Sequence, residues 1–343
     1  MSFNFLRRKK PVDINDKCKI ICDTNGIIKE VNDNAIDMLL YEKHVLLDQF
    51  VGFIMSPFMS YIHKSIMIPK YNSANMLQKN IMHIFLSGKT MKRPLIVYDL
   101  YRKPIYVELT VKRNSDSMFV LEFKEVSDLC NISIYLDKLD APNNTFTLTQ
   151  SNIVTISLQF RNSSRYITDH GVLKTIELHQ KFHKDVIDII RRDFYPYISI
   201  YEMNNQTVTL MLNLDGNHRM PRYCGSLALC FLHNLYYLTA PYVTLQCGVT
   251  FDALYHGNID DRMRFFGVAF DLAAKFRDQC DENEICCSDD FIRKVSCEGV
   301  YTKEELGIYS RTFYIDGLKH QNSNFINIMK LEPDKIISTD EKN

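Results

Sequence analysis

Two oppositely charged side chains, Asp271 and Lys275, lie four residues apart in the segment 265–276, which reads FFGVAFDLAAKF. We expect the part of this segment that carries them to be helical, and residues four apart share one face of a helix. A lysine on such a face offers a cation to phosphate, although it lacks the planar fork with which arginine grips that group. The alternative is an i,i+4 surface ion pair, which is the interpretation we favour. Both interpretations stay open.

The ten cysteines show no paired metal-ligand spacing. Cys18 and Cys22 form a C-x3-C pair, but they lie in an alternating apolar run that predicts a β-strand. On a strand the two side chains would be about 13 Å apart, too far to share a metal ion or a disulfide. We interpret both as core residues and expect free thiols in a reducing cytosol.

Length and composition limit the functional classes. A chain of 343 residues predicts two domains of ordinary size. Lys plus Arg and Asp plus Glu number 41 each, so no net charge attracts nucleic acid or an anionic membrane. No window approaches the ~20 apolar residues of a membrane span. We therefore predict a cytoplasmic protein with no nucleic-acid or membrane partner.

The N-terminal part opens with a β-hairpin signal. Asn25 and Gly26 separate two short apolar runs, and both residues tolerate the positive φ of a tight turn. An apolar patch at 35–41 then predicts one or two helical turns. Three later runs are typical of strands: 93–99, 103–110 and 117–123.

This order resembles a PAS domain over residues 16–126, with Asn32 ending the second strand before the short helices. The resemblance implies a five-stranded antiparallel sheet with helices, and a role in sensing or dimerisation. His63 and His83 lie among apolar residues where the family often encloses a small-molecule ligand. Haem ligation by either is an alternative to the core or surface role that we favour.

A turn-rich polar stretch, 140–145, marks residues 127–152 as a linker. No heptad repeat is sustained there, so no coiled coil is expected between the domains.

The C-terminal part shows a β-α-β-β-α-β order of patterns, typical of the split βαβ or ferredoxin-like arrangement. In chain order the patterns are a strand at 153–160, a helix at 172–190, strands at 197–202 and 207–212, a helix at 223–238, and a strand at 242–251.

The segments 245–250 and 265–276 resemble the signature of the class III adenylyl and guanylyl cyclase catalytic domain. The segments 284–292 and 315–319 resemble later motifs of that family, and the whole resemblance covers residues 153–330. It implies an α+β fold and conversion of a nucleoside triphosphate to a cyclic nucleotide plus pyrophosphate. That reaction uses two Mg²⁺ or Mn²⁺ ions.

The family's two metal-binding aspartates map onto Phe160 and Asn205, and its transition-state Asn and Arg map onto Asp271 and Lys275. Its nucleobase positions map onto Tyr201 and Arg264, which match neither specificity. Without carboxylates there is no minimal clamp for Mg²⁺.

We therefore interpret the chain as a signalling or regulatory protein with an inactive cyclase homology domain. Two alternatives stay open: an active guanylyl or adenylyl cyclase that uses Mg²⁺ or Mn²⁺, and one half of a heterodimer in which Lys275 faces the carboxylates of another chain. The resemblance implies a homodimer or a heterodimer with another cyclase-type chain. A nucleotide and a small-molecule PAS ligand are further partners that it allows.

Overall fold

The computed structural model describes most of the chain, and all structural statements refer to the residues it describes: 17–67, 95–115, 117–126, 134–135, 149–161, 163–204, 206–212, 223–259, 262–315 and 318–327. The chain divides into two compact units, residues 1–129 and 130–343. Each combines helices with a β-sheet, so the predicted α+β class is confirmed. None of the described helices is both long and apolar enough to cross a membrane.

The N-terminal unit contains a five-stranded antiparallel sheet in the order β2-β1-β5-β4-β3. The strands are β1 Cys18–Asp23, β2 Ile28–Val31, β3 Leu95–Tyr98, β4 Pro104–Ser115 and β5 Met118–Glu125. The helices between β2 and β3 are α1 Asp33–Leu39, α2 Lys43–Leu46, the 3₁₀ turn Val51–Ile54, and α3 Pro57–Met67.

Two polar residues shape the opening of this unit. Asp23 Oδ1 accepts hydrogen bonds from the backbone N–H of Asn25 (2.9 Å) and of Ile27 (3.0 Å), which closes the β1–β2 turn. Gly26 adopts φ 77°, the left-handed region that glycine enters without strain. Asn32 caps α1 through an Oδ1 that accepts from the N–H of Ala35 at 3.1 Å. The predicted hairpin and short helix are therefore present.

The C-terminal unit contains eight strands, with the longest two at its centre. They are β6 Thr149–Phe160, β7 Ile198–Met203, β8 Thr207–Leu212, β9 Leu245–Ile259, β10 Arg262–Phe266, β11 Glu284–Cys287, β12 Tyr309–Ile315 and β13 Leu318–Asn327. Its helices are α4 Ser163–His170, α5 Val172–Ile189, α6 Cys224–Thr239, α7 Ala269–Asp278, α8 Asp289–Glu298 and α9 Lys303–Leu306, and a π-helical turn, Ile190–Phe194, follows α5.

The strand order is β12-β13-β11-β9-β6-β8-β7, and β10 forms a hairpin with β9. Within it, β9-β6-β8-β7 is fully antiparallel, which is the arrangement that a split βαβ order produces. The predicted order of the first six elements is therefore confirmed. Strand β11 extends the sheet by pairing in parallel with β9.

Helix α7 lies in unusually close contact with β9. A Cβ atom built on Gly248 would lie 1.9 Å from the carbonyl oxygen of Ala273 and 2.5 Å from the backbone nitrogen of Arg277. Glycine at this position therefore lets the helix and the strand approach each other directly.

The bounds of several elements differ from the prediction; β9, for example, spans Leu245–Ile259 rather than 242–251. Strand β6 begins at Thr149 rather than at residue 153, because it pairs with β9 along its whole length, from Thr149 opposite His256 to Phe160 opposite Leu245. Ile134, inside the expected linker, is buried in the C-terminal unit, and its carbonyl accepts from the N–H of Ile200 at 2.8 Å.

The described cysteines are all free, as expected. Cys22 is buried in the core of the N-terminal unit, and Cys18 packs against that core from its margin.

Candidate functional site

Phe160, the first of the two expected metal positions, ends β6 as part of the core. Its side chain is 2% exposed, and its ring packs against His179 (centroid distance 4.2 Å) and Phe182 (5.9 Å) on α5. A phenyl ring offers no lone pair to a metal ion. Magnesium and manganese prefer carboxylate and other oxygen ligands, so the side chain present here does not fit either ion.

Asn205, the second expected metal position, lies outside the described residues, in the turn between β7 and β8. The turn beside it is held by Asn204, whose Oδ1 accepts from the N–H of Thr207 at 2.9 Å and from its hydroxyl at 2.7 Å. Among the described residues, no group of three or more His, Cys, Asp or Glu side chains is placed to hold a metal ion.

The two expected nucleobase positions come together. Tyr201 on β7 is 37% exposed, and burial raises the pKa of its hydroxyl. The charge of Glu202 raises this pKa further, whereas the charge of Arg264 on β10 lowers it. Arg264 directly precedes Phe265 on β10, and the ring of Phe265 contacts that of Tyr201, so β10 brings the two expected positions near each other.

Two aromatic rings that the sequence did not single out complete this cluster. Phe270 stacks on Tyr201, with a centroid distance of 4.2 Å and an interplanar angle of 17°, and Phe265 meets Tyr201 edge-on at 5.6 Å. An offset stack is a favoured aromatic geometry, and it covers one face of the tyrosine. The chain's own phenyl ring thus occupies a face of Tyr201 on which a base could otherwise stack. The sequence signal for this aromatic cluster was the pair Phe265-Phe266, together with Phe270, in the signature segment.

Asp271 and Lys275, the expected transition-state positions, both lie on α7. Asp271 is exposed in the first turn, and Lys275 is half-buried in the last. Acidic side chains near a helix N-terminus and basic ones near its C-terminus are favoured by the helix dipole. The helix dipole therefore explains the positions of both charges, and no bound ligand is needed to explain them.

Arg277 is a cation of α7 that sequence reasoning missed. Its side chain is 12% exposed, and Nη1 donates to Ser157 Oγ on β6 at 3.0 Å. Its Nε and Nη2 donate to Asp278 Oδ1 at 2.9 and 2.7 Å. The guanidinium fork is therefore engaged in joining α7 to the sheet. No spacing pattern distinguished it from other charged residues.

His179 and His183 lie one turn apart on α5, next to Phe160. Their ring centroids are 6.5 Å apart. Burial lowers the pKa of both imidazoles, and in His179 the neighbouring His183 lowers it further. The sequence signal for this pair was the H-x3-H spacing within the predicted helix at 172–190, and sequence reasoning did not use it.

In the N-terminal unit, the His63 ring on α3 is hydrogen-bonded through Nδ1 to the carbonyl of Met59 at 2.8 Å, and burial lowers its pKa. This contact ties the ring to its own helix, as the core interpretation expects. His83, the other histidine of the expected ligand pocket, lies outside the described residues.

Comparison with known proteins gives matches among solved structures. The adenylyl cyclase CyaB from P. aeruginosa is 12% identical, over 52% of this chain and 95% of that one, with a TM-score of 0.41. The guanylate cyclase domain of RhGC from Catenaria anguillulae in complex with GTP is 12% identical, over 52% and 96%, with a TM-score of 0.41.

The dimeric guanylyl cyclase domain of RhoGC from Blastocladiella emersonii is 10% identical, over 52% of this chain and 97% of that one, with a TM-score of 0.41. No protein-family model and no curated protein matches the sequence. These solved structures are adenylyl and guanylyl cyclase catalytic domains, each matched over about half of this chain at low sequence identity.

Proposed function

We propose that this chain is a cytoplasmic signalling or regulatory protein in which a PAS sensor precedes a nucleotidyl cyclase-like domain that does not catalyse cyclisation. The PAS domain covers residues 16–126 and the cyclase-like domain extends to residue 330. The linker expected at 127–152 ends earlier, before β6, which begins at Thr149. The division into two compact units supports this organisation. Limited proteolysis checks it, since first cleavage within 16–126 would contradict the PAS assignment.

The strands and caps of the N-terminal unit support the PAS proposal. The sheet is five-stranded and antiparallel, the opening hairpin turns at Gly26, and Asn32 caps the first of the short helices that separate β2 from β3. A PAS fold requires this order of elements. We assign two roles to this N-terminal unit: binding of a small-molecule ligand, and dimerisation.

The cyclase-like proposal rests on the order of elements and on the position of the signature. The β9-β6-β8-β7 core follows the split βαβ order, and the signature segment forms the end of β10 and helix α7. The later motif at 284–292 forms β11 and the start of α8, where Ser288 Oγ accepts from the N–H of Phe291 at 3.2 Å.

Phe160 is the observation that carries the proposal of inactivity. Two-metal catalysis needs oxygen ligands that hold both ions, and a buried phenyl ring packed between His179 and Phe182 supplies none. The stack of Phe270 on Tyr201 adds support, because it covers a ring face at an expected nucleobase position.

A cyclase assay tests this proposal. Purified full-length chain with ATP or GTP, and with Mg²⁺ or Mn²⁺, should form no more cyclic nucleotide than a boiled control. Product above that control would overturn the proposed inactivity and establish an active cyclase. Product that appears only after addition of an intact cyclase-type chain would show instead that this chain is half of a heterodimeric enzyme.

A further inference from the structure

Helix α5 places two imidazole rings side by side next to the end of β6. His179 and His183 are separated by one helical turn, with their ring centroids 6.5 Å apart and their planes at 76°. His179 packs on Phe160 at 4.2 Å, and His183 lies 6.1 Å from Phe182. Phenyl rings therefore border the pair and keep the imidazoles together.

Each ring has a buried nitrogen without a partner. Within the described residues, neither Nδ1 of His179 nor Nε2 of His183 has a hydrogen-bond partner. An unsatisfied buried polar atom costs free energy, so such atoms usually have a function or a partner that binds there.

The backbone carbonyl of Asn204 faces the His183 ring. A carbonyl beside one ring nitrogen favours the tautomer that carries its proton there and leaves a lone pair on the other nitrogen. Metal-binding histidines typically donate their second ring N–H to a carbonyl in this way, which fixes the tautomer and the ring orientation.

We propose that His179 and His183 form a two-histidine site for a transition-metal ion of the imidazole-preferring group, Zn²⁺, Ni²⁺ or Cu²⁺. Neutral imidazole suits these ions, whereas Mg²⁺ prefers oxygen ligands. A tetrahedral ion with nitrogen bonds of about 2.1 Å holds two imidazole ring centroids about 5 Å apart. The observed separation of 6.5 Å is larger than this, so the two side chains must rotate toward each other to close the chelate.

No third His, Cys, Asp or Glu in the described part of the chain completes the site. Water fills the remaining coordination positions, and the ion exchanges more readily than in a four-ligand structural zinc site. The site stands independently of the proposed loss of cyclase activity.

Titration calorimetry with Ni²⁺ tests the chelate in the full chain under reducing conditions. The variants are His179→Gln, His183→Gln and the double variant, and His44→Gln is the matched control, since His44 is an exposed helical histidine outside the site. The wild-type chain should bind one equivalent of Ni²⁺ more than the double variant does. Each single variant should weaken that binding by more than about tenfold, because a lost ligand costs at least as much as a lost outer partner.

Unchanged binding in the double variant, or an equal loss in His44→Gln, would overturn the site. Two single variants that each lose only half of the bound metal would show independent histidines and would also overturn it. Mg²⁺ at millimolar concentration should not compete.

A second measurement needs no substitution. Cu²⁺ with ascorbate and dissolved oxygen oxidises the side chains that bind the ion, because the Cu⁺ formed by ascorbate reduces O₂ to reactive oxygen species at the site. Peptide mass spectrometry of the wild-type chain should locate the oxidation at His179 and His183 and not at His44. Oxidation confined to other residues would contradict the proposal even if the variants fail to fold.

Discussion

Gly248 is the residue on which the packing of α7 against β9 depends. A single methyl group at this position would meet the main chain of the helix, and a main chain cannot rotate away as a side chain does. The helix that carries Asp271, Lys275 and Arg277 would have to separate from the sheet.

Gly248→Ala should therefore lower the free energy of unfolding by about 3 kcal/mol or more, at or above the upper end of the usual cost of overpacking. Urea denaturation measures this. Gly299→Ala is the control: Gly299 has φ 71° and open space around its Cβ position, so only the backbone cost of about 1 to 2 kcal/mol is expected. Equal losses of unfolding free energy in the two variants would show that the clash with the Ala273 carbonyl adds nothing to the backbone cost.

At this scale the sequence identifies which residues are unusual but not what surrounds them. It shows an aromatic residue at position 160 and a tyrosine at 201. It cannot show that His179 packs on the first or that Phe270 stacks on the second, since these contacts join residues distant in the chain. The ring nitrogens of His179 and His183 that have no hydrogen-bond partner are buried by contacts of the same kind. The sequence therefore cannot reveal them either.

At the scale of elements, helix α6 begins against a carboxylate from another helix. Glu298 of α8 accepts from the backbone N–H of Gly225 at 2.9 Å and of Ser226 at 2.6 Å, and Lys294 lies 3.5 Å away. The first N–H groups of a helix have no partner within it. A buried carboxylate therefore satisfies the start of α6 and joins it to α8.

This contact gives a pH-dependent prediction. Burial raises the pKa of Glu298, against the opposing effects of its hydrogen bonds and of Lys294. A raised folded pKa means that the folded state binds the proton more tightly than the unfolded state does. The resulting stabilisation is complete below the unfolded value of 4.5 and is lost as the pH rises through the folded pKa.

The free energy of unfolding of wild type minus that of Glu298→Gln should thus fall as the pH rises above 4.5. Glu298→Ala should be less stable than wild type at every pH, by about 1 to 3 kcal/mol for each N–H left unpaired. Denaturation at a series of pH values measures both variants. A difference between wild type and Glu298→Gln that rises with pH would contradict the assignment.

The order of elements was predictable because apolar periodicity is local information. Strand lengths were less predictable from the sequence. The polar start of β6 carries no apolar alternation, and it extends to Thr149 only because β9 provides a partner along the whole strand. Long-range pairing of this kind has no signature within either segment.

At the scale of the whole molecule, we expect the chain to associate with a second copy or with another cyclase-type chain. Large apolar side chains are exposed at the junction of α4 and α5, where Val172 is 59% and Leu173 is 77% exposed. Contiguous exposed apolar residues often mark an association surface.

Light scattering at micromolar concentration should therefore return a mass above that of the 40.2 kDa monomer. The mass should not change when nucleotide and metal are omitted, because apolar contact rather than a bridging ligand drives the association. A monomer mass under these conditions, with no partner recovered from cell extract, would remove the support for a dimeric regulator.

The burial of Phe160 also bears on how the molecule can evolve. A large core ring contributes about 3 to 5 kcal/mol to stability, a sizeable part of the roughly 5 to 15 kcal/mol available to a whole domain. An aspartate at this position would forfeit that contribution and place a charge beside Phe182. Selection for a stable fold alone therefore opposes a carboxylate at position 160.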